Sequence, residues 1–438
     1  NQFHGVAWEF LRNDIFNANA FFRNSTGQSK PNLKQNQYGG TLGGPVKKDK
    51  LFFFGSFQGT RQTNGLDPTS LSTVILPALG NDRSAATLAA QFCPGNHPGD
   101  SRYQTFAGGK QLDCANQLTN TTAPINPVAL KVLQAKLPDG TYLVPVPQTI
   151  LSSGPNAGFG FSAFSYPSFY HENHYLLNGD YVVSKKNTVY ARYYQSTVDQ
   201  DRSFGSPGGI NGAPILPGAG AAQWLNGGDY VGTLKVSSVL APNIANEARA
   251  AFTRTANDAG SYGTAQASLL GMTAVNPLLG EAPEMTVLGP LGTFRAFGNG
   301  ANDFITSTNS NVFTDNISWS RGNHTIRTGG AFMMLDNLRD DLSISHGKLT
   351  FQTFTDFLVG LDASANQSSS GRSNIQTVQA NTGSGATGGP VYRYRRYYGS
   401  GYIQDDWKLT ARLTINTGLR WEFIGASFDQ NGIIGGVD

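Results

Sequence analysis

The order of the connections is the feature that most constrains this chain. Segments of alternating apolar and polar residues are joined by connections that are short and long in strict turn. The short ones are "VKKD" at 46–49, "SKKN" at 184–187, "SSVLAPN" at 237–243, "RGN" at 321–323 and "KLTAR" at 408–412. The long ones, rich in Gly, Asn, Ser, Thr and Pro, run over roughly 13–35, 61–173, 198–228, 255–308 and 336–396.

The segments between these connections have the period-two pattern of β-strands with two unlike faces. The clearest is "RLTINTGLRWEF" at 412–423, in which Leu413, Ile415 and Leu419 alternate with Arg412, Thr414 and Arg420. We expect eleven strands, near 3–12, 37–45, 50–60, 174–183, 188–197, 229–236, 244–254, 309–320, 324–335, 397–407 and 412–423.

These two patterns together predict an all-β fold, an antiparallel transmembrane β-barrel with long extracellular loops. Barrels of the outer membrane turn tightly on the periplasmic side and carry long loops outside. Closing the sheet pairs every backbone group, so that no free amide meets lipid. A soluble sandwich also alternates its faces, but a structureless connection as long as 61–173 is uncommon in a compact soluble domain. We therefore expect 61–173 to be a large extracellular loop insertion.

Composition agrees with a large β-protein and excludes several functions. Charged residues make up only 14% of the chain, glycine contributes 53 residues, and the formal net charge is +3. The absence of a long basic run gives no indication of nucleic-acid binding. No run of about 20 apolar residues predicts a transmembrane helix.

The two cysteines, Cys93 and Cys114, lie in one polar segment punctuated by Gly and Pro. Two cysteines close in sequence fit a local disulfide in an oxidising compartment. The alternative is a pair of free thiols. Zinc is not expected, because His97 is the only histidine nearby and no ligand quartet can be assembled.

Motifs that resemble known catalytic or ligand sites fail on their spacing. "GGTLGGPVKK" at 39–48 lacks the Gly-Lys-Ser/Thr ending of a phosphate loop, and "HENH" at 171–174 has one residue fewer than a zinc-protease motif requires. In "QDDW" at 404–407 the two acids point to opposite faces of a strand, so they cannot act as a carboxylate pair. "RYRRYY" at 393–398 fits nucleic acid or sugar stacking, or a strand extension facing lipopolysaccharide phosphates. We expect no enzyme, no catalytic residue, no metal and no cofactor.

Several blocks resemble the barrel of Oar-like TonB-dependent receptors, a family of outer-membrane transporters. These blocks occur in the family's order: "FHGVAWEFLRND", "NQYGGTLGGPVKKDKLFFFGSFQGTRQ", "DNISWSRGNHTIRTGGAF", "FTDFLVGL" and "YIQDDWKLTARLTINTGLRWEF". The resemblance implies a barrel of about 22 strands around an N-terminal plug. It also implies energisation through a TonB box ahead of the plug. On this interpretation 1–438 holds the first half of the barrel, and the plug, the TonB box and the C-terminal strands lie outside the sequence.

The strand pattern then assigns residues to the two faces of the barrel. Lipid-facing or interfacial residues are expected to be Val6, Trp8, Phe10, Trp319, Trp407, Leu413, Ile415, Leu419, Trp421 and Phe423. Lumen-facing residues are expected to be Glu9, Arg192, Arg327, Arg420 and Glu422.

The sequence therefore predicts energised transport of a solute across the outer membrane of a Gram-negative bacterium. Its expected partners are outer-membrane lipid and lipopolysaccharide, the TonB complex through the N-terminal region that is missing here, and an unknown solute, but no nucleic acid. The alternatives are a passive porin or adhesin barrel, and a secreted β-rich glycan-binding protein. The residues do not name the solute.

Overall fold

The structure is a computed structural model of the 438-residue chain. It describes residues 2–25, 27, 29–66, 70–114, 118–154, 156–204, 223–261, 266–277, 279–297, 304–341, 344–380 and 391–430. The terminal "NGIIGGVD" at 431–438, which the sequence places in a further long loop, lies outside these residues.

Strands dominate the described residues. They are β1 His4–Asn13, β2 Leu33–Lys47, β3 Leu51–Asn64, β4 Leu71–Leu76, β5 Gln111–Leu112, β6 Thr122–Ala123, β7 Thr149–Ile150, β8 Gly160–Ser165, β9 Ser168–Val182, β10 Asn187–Arg202, β11 Gln223–Ala241, β12 Ile244–Ser261, β13 Glu284–Gly289, β14 Gly292–Phe297, β15 Phe304–Arg321, β16 His324–Asp341, β17 Lys348–Phe351, β18 Ile375–Gln379, β19 Tyr392–Thr410, β20 Leu413–Ile424 and β21 Phe428–Asp429. The α-helices are short: α1 Phe21–Ser25, α2 Ala85–Phe92, α3 Pro127–Gln134, α4 Ala267–Leu270, α5 Phe354–Val359 and α6 Ala363–Asn366.

Eleven long strands form one antiparallel sheet, which we call the barrel sheet. Its order is β1-β2-β3-β9-β10-β11-β12-β15-β16-β19-β20, so each strand pairs with the neighbouring long strands in the chain. The short β21 pairs with β19 beyond the end of β20. All eleven predicted strands are present, and the prediction of an antiparallel all-β fold is confirmed.

Local chemistry explains the tight turns and one close approach in this sheet. The β2–β3 turn closes through a hydrogen bond from Lys50 N to Lys47 O of 3.1 Å, with Asp49 in the left-handed region at φ 59°. Within β2, a Cβ on Gly39 would lie 2.6 Å from the ring of Trp8. Only glycine leaves room for the indole of Trp8 at this position.

Three of the long connections fold together into a second unit, which we call the loop domain. Its sheet has the order β18-β17-β13-β14-β4-β8-β7, with strands from the β3–β9, β12–β15 and β16–β19 connections. β13 and β17 are parallel, and the other pairs in this sheet are antiparallel. The segment 61–173 is therefore not the structureless loop that its composition suggested, because β4 to β8 and two helices lie within it.

The buried hydrophobic core lies in this loop domain. The described members of its core cluster come from the long connections, and they include Leu76, Leu88, Leu133, Phe294 and Phe354. On the barrel sheet, by contrast, large apolar side chains are exposed, with Leu419 at 74% and Trp421 at 62%. The two units thus expose and bury apolar surface in opposite ways.

A disulfide joins Cys93 at the end of α2 to Cys114 after β5, with Cα atoms 5.1 Å apart. Cys93 is fully buried in the core of the loop domain. The bridge therefore ties two parts of the β3–β9 connection to one packed core.

Candidate functional site

The strand register divides the barrel sheet into two chemically different faces. Leu419 pairs with Ile403, which pairs with Thr328, which in turn pairs with Ile317. Directly paired residues point to the same side of a sheet. We call this side the apolar face; it also carries Leu177, Tyr193, Leu234, Phe252, Phe313, Phe332 and Trp421.

The opposite side, the polar face, carries charged and hydrogen-bonding side chains along the same strands. Lys235 forms an ion pair with Glu247 at 3.4 Å, and its ammonium lies 4.4 Å from the centroid of the Tyr190 ring. Arg327 meets Asp406 at 2.7 Å. A recess of about 590 Å³ in this face is lined by residues that include Asp180, Tyr190, Arg192, Lys235, Glu247 and Arg249. This face forms a wall of mixed charge that attracts water and polar solutes.

Most of the predicted face residues fall into two consistent sets. The apolar face holds Trp319, Trp407, Leu413, Ile415, Leu419, Trp421 and Phe423. The polar face holds Arg192, Arg327, Arg420 and Glu422. Their assignment to lipid and to lumen remains a prediction, because the register alone does not show which face meets lipid.

Strand β1 is the exception, and its predicted orientation relative to the other strands is wrong. Val6 pairs with Thr41, Thr41 with Ser56, and this row continues to Leu176 and Tyr194 on the polar face. Trp8 and Phe10 share that face with Val6. Glu9 instead pairs with Tyr38 on the apolar face. The alternation in β1 is readable, with Val6, Trp8 and Phe10 on one side, but the pairing with β2 joins that side to the polar face.

The acids of "QDDW" point to opposite faces, as period two requires, and each has its own partner. Asp406 meets Arg327 on the polar face. Asp405 lies on the apolar face near the short turns, 2.6 Å from His324 Nδ1, and His324 stacks on Trp407 with centroids 5.3 Å apart. The two carboxylates therefore cannot act on one bond.

Asp356 connects separate parts of the loop domain. Its carboxylate accepts hydrogen bonds from Phe106 N at 2.9 Å, Asn374 Nδ2 at 2.8 Å and Thr353 Oγ1 at 2.6 Å. Helix α5, which carries it, is buried at every position. The pattern of "TFTDFLVGL" at 353–361 predicts a short amphipathic turn of helix within a long loop. The helix is present, but it is not amphipathic in its surroundings, because residues distant in the chain cover both of its sides.

A second buried polar group lies on the central strands β13 and β17. Glu284 accepts from Lys348 Nζ at 2.9 Å and from Thr286 Oγ1 at 2.6 Å, and Arg295 Nε lies 3.2 Å from its other oxygen. Burial lowers the pKa of the Arg295 guanidinium, and the carboxylate of Glu284 opposes that change. These contacts fix the packing of the sheet and leave no open site around Glu284.

Arg83, two residues before α2, contacts the chain on both sides of that helix. Its Nε donates to Gly80 O at 2.7 Å, and its guanidinium lies 4.6 Å from the centroid of the Tyr142 ring. Burial lowers the pKa of the Arg83 guanidinium to about 10, and the nearby Tyr142 opposes this shift. The contacts of Arg83 are with backbone carbonyls and a ring, so its role is to hold the chain in place.

The loop domain also has a surface pocket of about 430 Å³ beside Asp356. Phe106, Gln352, Arg372 and Gln376 line it, and the Arg372 guanidinium lies 5.6 Å from the centroid of the Phe106 ring. Among the described residues, no three His, Cys, Asp or Glu side chains cluster as metal ligands would. Within the described ranges, no helix is long and apolar enough to cross a membrane.

Comparison with known families settles the class of protein. The family model described as "Outer membrane beta barrel domain" matches residues 1–438. This chain belongs to the outer membrane β-barrel domain family. The chain is accordingly located in the outer membrane of a Gram-negative bacterium and is not an enzyme.

The solved structures to which this chain is similar are distant receptors. A mutant of the ferric enterobactin receptor PfeA from Pseudomonas aeruginosa is 9% identical with a TM-score of 0.40, and covers 98% of this chain and 40% of its own. The siderophore receptor PirA from Acinetobacter baumannii is 11% identical with a TM-score of 0.41 and the same coverage. The ferric-catecholate import receptor Fiu from E. coli K12 is 10% identical with a TM-score of 0.33, and covers 92% of this chain and 54% of its own.

This chain thus spans about 40% of the length of the first two of these receptors. At such identities and scores, the family match carries the assignment rather than these likenesses. A search of curated proteins found no match.

Sequence reasoning missed the contacts and the pocket of the loop domain. Phe106, Arg372 and Asp356 are up to 266 residues apart in the chain, and no local pattern brings them together. The one available signal is the Thr-x-x-Asp spacing of Thr353 and Asp356, which is typical of a helix N-terminus. It locates the helix but not its partners.

Proposed function

We propose that this chain is part of the barrel of a TonB-dependent receptor that takes up a solute across the outer membrane with energy from the inner membrane. The observation that carries the proposal is the polar face, which continues across the barrel sheet opposite an apolar face. A passage for polar solutes through lipid requires this division, with charges inside and apolar groups outside.

The sequence blocks that resemble Oar-like receptors support the same proposal. "DNISWSRGNHTIRTGGAF" spans the β15–β16 turn and "YIQDDWKLTARLTINTGLRWEF" spans the β19–β20 turn. The similarity thus follows strand hairpins of the barrel sheet. On this proposal, 1–438 supplies about half of a barrel of about 22 strands. A plug and a TonB box encoded outside this sequence make the contact with TonB.

The loop domain has the place and shape expected of the solute-receiving part. It is built from the long connections, including 61–173, which lie outside the cell in barrels of this kind. Its pocket beside Phe106 and Arg372 combines a ring, a cation and amide side chains. We propose that the solute first contacts the receptor at this domain and then moves along the polar face.

The experiment compares three conditions for the complete receptor gene in its host. Depletion of compounds from the medium is measured by mass spectrometry in cells with the gene, cells without it, and gene-carrying cells whose proton gradient is collapsed. We expect at least one compound to be depleted only when both gene and gradient are present. Gene-dependent flux that survives collapse of the gradient would indicate a passive porin instead. Absence of any gene-dependent flux would contradict the transport proposal.

A further inference from the structure

A groove of about 860 Å³ lies on the apolar face across β2, β3, β9 and β10. Gly40 and Gly55 form part of its lining, and Leu42 and Leu177 contribute apolar side chains. A Cβ on Gly55 would have the Leu177 side chain at 3.5 Å as its nearest contact, so a side chain can enter the groove at this glycine without a clash at its Cβ. The lining of the groove on this face is therefore mostly apolar.

Aromatic rings bound the groove on the side of the long connections, and Phe57 and Tyr175 belong to its lining. Phe57 packs against Tyr175 with centroids 5.1 Å apart, and against Tyr38 at 6.0 Å. The row Tyr38–Gly59–Asn173 lies one pair further along the same face than Gly40–Phe57–Tyr175. Rings at this level are typical of the boundary between the hydrocarbon and the headgroups.

A cation follows the rings on the same face. The Arg61 guanidinium lies 5.9 Å from the centroid of the Tyr38 ring. It donates to Thr60 O at 2.8 Å, Glu172 O at 2.9 Å and Asn173 Oδ1 at 2.7 Å. These contacts hold the guanidinium in place with neutral acceptors. Among the described residues, no carboxylate forms an ion pair with it.

Other charges surround Arg61 on this face. Arg61 pairs with His171 on one neighbouring strand and with Asn36 on the other. Lys34 is the next residue after Asn36 on the same face, toward the long connection. Two carboxylates share the face as well: Asp199 pairs with His171, and Glu9 pairs with Tyr38. Because Arg61 is held over the ring without a counter-ion, it is the group at which an external anion gains most.

We propose that this surface binds one lipopolysaccharide molecule, with lipid A acyl chains in the groove and a lipid A phosphate on Arg61. The order along the face is apolar groove, aromatic rings and then guanidinium, which matches acyl chain, glycolipid boundary and phosphate. The inference rests on the proposed function in one respect: the end with the long connections faces outward, where lipopolysaccharide forms the outer leaflet.

The test counts lipid on the folded, full-length receptor, purified in mild detergent from a lipopolysaccharide-producing strain. Native mass spectrometry measures retained lipopolysaccharide for the parent and two variants, Gly55→Leu, which fills the groove, and Arg61→Gln, which removes the cation. Each variant is expected to retain about tenfold less lipopolysaccharide. A change of this size follows from the loss of one charge-assisted hydrogen bond in Arg61→Gln, or of a similar amount of apolar contact in Gly55→Leu.

Two matched controls lie on the same face. Gly399→Leu adds the same side chain at a glycine with open space on β19, and Arg395→Gln removes a guanidinium that is already paired with Asp336 at 2.6 Å. Both are expected to retain lipopolysaccharide as the parent does. Heat-modifiable gel migration confirms that each compared variant is folded.

Three outcomes would overturn the proposal: no lipopolysaccharide on the parent, equal losses in controls and test variants, or equal retention of added phosphatidylglycerol in place of lipopolysaccharide. The last would assign the surface to phospholipid. The count does not involve transport, so its failure would leave the gradient-dependence experiment intact, and the reverse also holds.

Discussion

The barrel sheet and the loop domain solve the problem of apolar side chains in opposite ways. In the sheet, Phe313 and Leu419 are exposed at 53% and 74%, whereas in the loop domain Phe294 and Phe354 have no exposed surface. We expect lipid to complete the surroundings of the first pair, whereas protein completes those of the second. Stability in the two regions should therefore respond to different substitutions.

The largest expected effect is a cavity in the loop domain. Phe294→Ala removes a fully buried ring that packs against Phe354 with centroids 6.3 Å apart. We expect a loss of about 3–5 kcal/mol in the stability of that domain, from lost transfer energy and an unfilled cavity. Urea-dependent trypsin protection of the loops on intact cells measures it. Phe313→Ala on the sheet is the control, and an equal loss there would remove the distinction between the regions.

The disulfide should matter only for the loop domain. It closes a chain segment with a sequence separation of 21 residues. Removing such a link costs about 3 kcal/mol through the greater freedom of the unfolded chain. The double substitution of Cys93→Ser and Cys114→Ser should shift the same protease-protection midpoint and leave heat-modifiable migration of the barrel unchanged. A reductant should then have no further effect on the double variant.

The converse substitution should affect the barrel sheet. Leu419→Arg places a charge on the apolar face and is expected to cost about 2–4 kcal/mol near the middle of the bilayer. Its neighbour Arg420 points to the opposite face and pairs with Glu422 at 2.6 Å in exposed surroundings. Arg420→Leu should therefore change little. Unfolding of the full-length protein in lipid vesicles compares the two, and equal tolerance would count against the barrel assignment.

The smallest effect tests the corrected orientation of β1. Ala7 pairs with Gly40 on the apolar face, whereas Val6 pairs with Thr41 on the polar face. Ala7→Arg should cost about 1–2 kcal/mol, between the values for the middle and the boundary of the bilayer. Val6→Arg should be tolerated. The reverse ranking in the same vesicle assay would restore the original prediction that Val6, Trp8 and Phe10 meet lipid.

The sequence revealed the sheet because a strand between two unlike environments carries period two. In 412–423 the two sides differ strongly, so position and face are both readable. In β1 the two sides also differ, with Val6, Trp8 and Phe10 on one of them, but the pairing with β2, which no local pattern shows, joins that side to the polar face. Strands of the loop domain such as β13, buried from Glu284 to Val287, have no exposed side and therefore no alternation to detect.

The candidate site was less predictable for a different reason. Its residues are brought together by contacts across the chain, as between Phe106 and Asp356, which are separated by 250 residues. The polar face is visible from single strands, but the surface around Arg61 depends on the register of four strands. Only the pairing shows that Tyr175 lies beside Phe57, on the same face as Arg61.

The bonds around Asp356 also bear on how loops of this kind can be exchanged. Through Phe106 and Asn374, this carboxylate ties the β3–β9 connection to the β16–β19 connection, while β13 and β14 from a third connection lie between their strands in the sheet. A change of length in one of these connections should therefore disturb the packing of the other two. Grafting a single one onto another barrel should give a misfolded surface, whereas all three transferred together carry the described core cluster except Phe204, which comes from the β10–β11 connection.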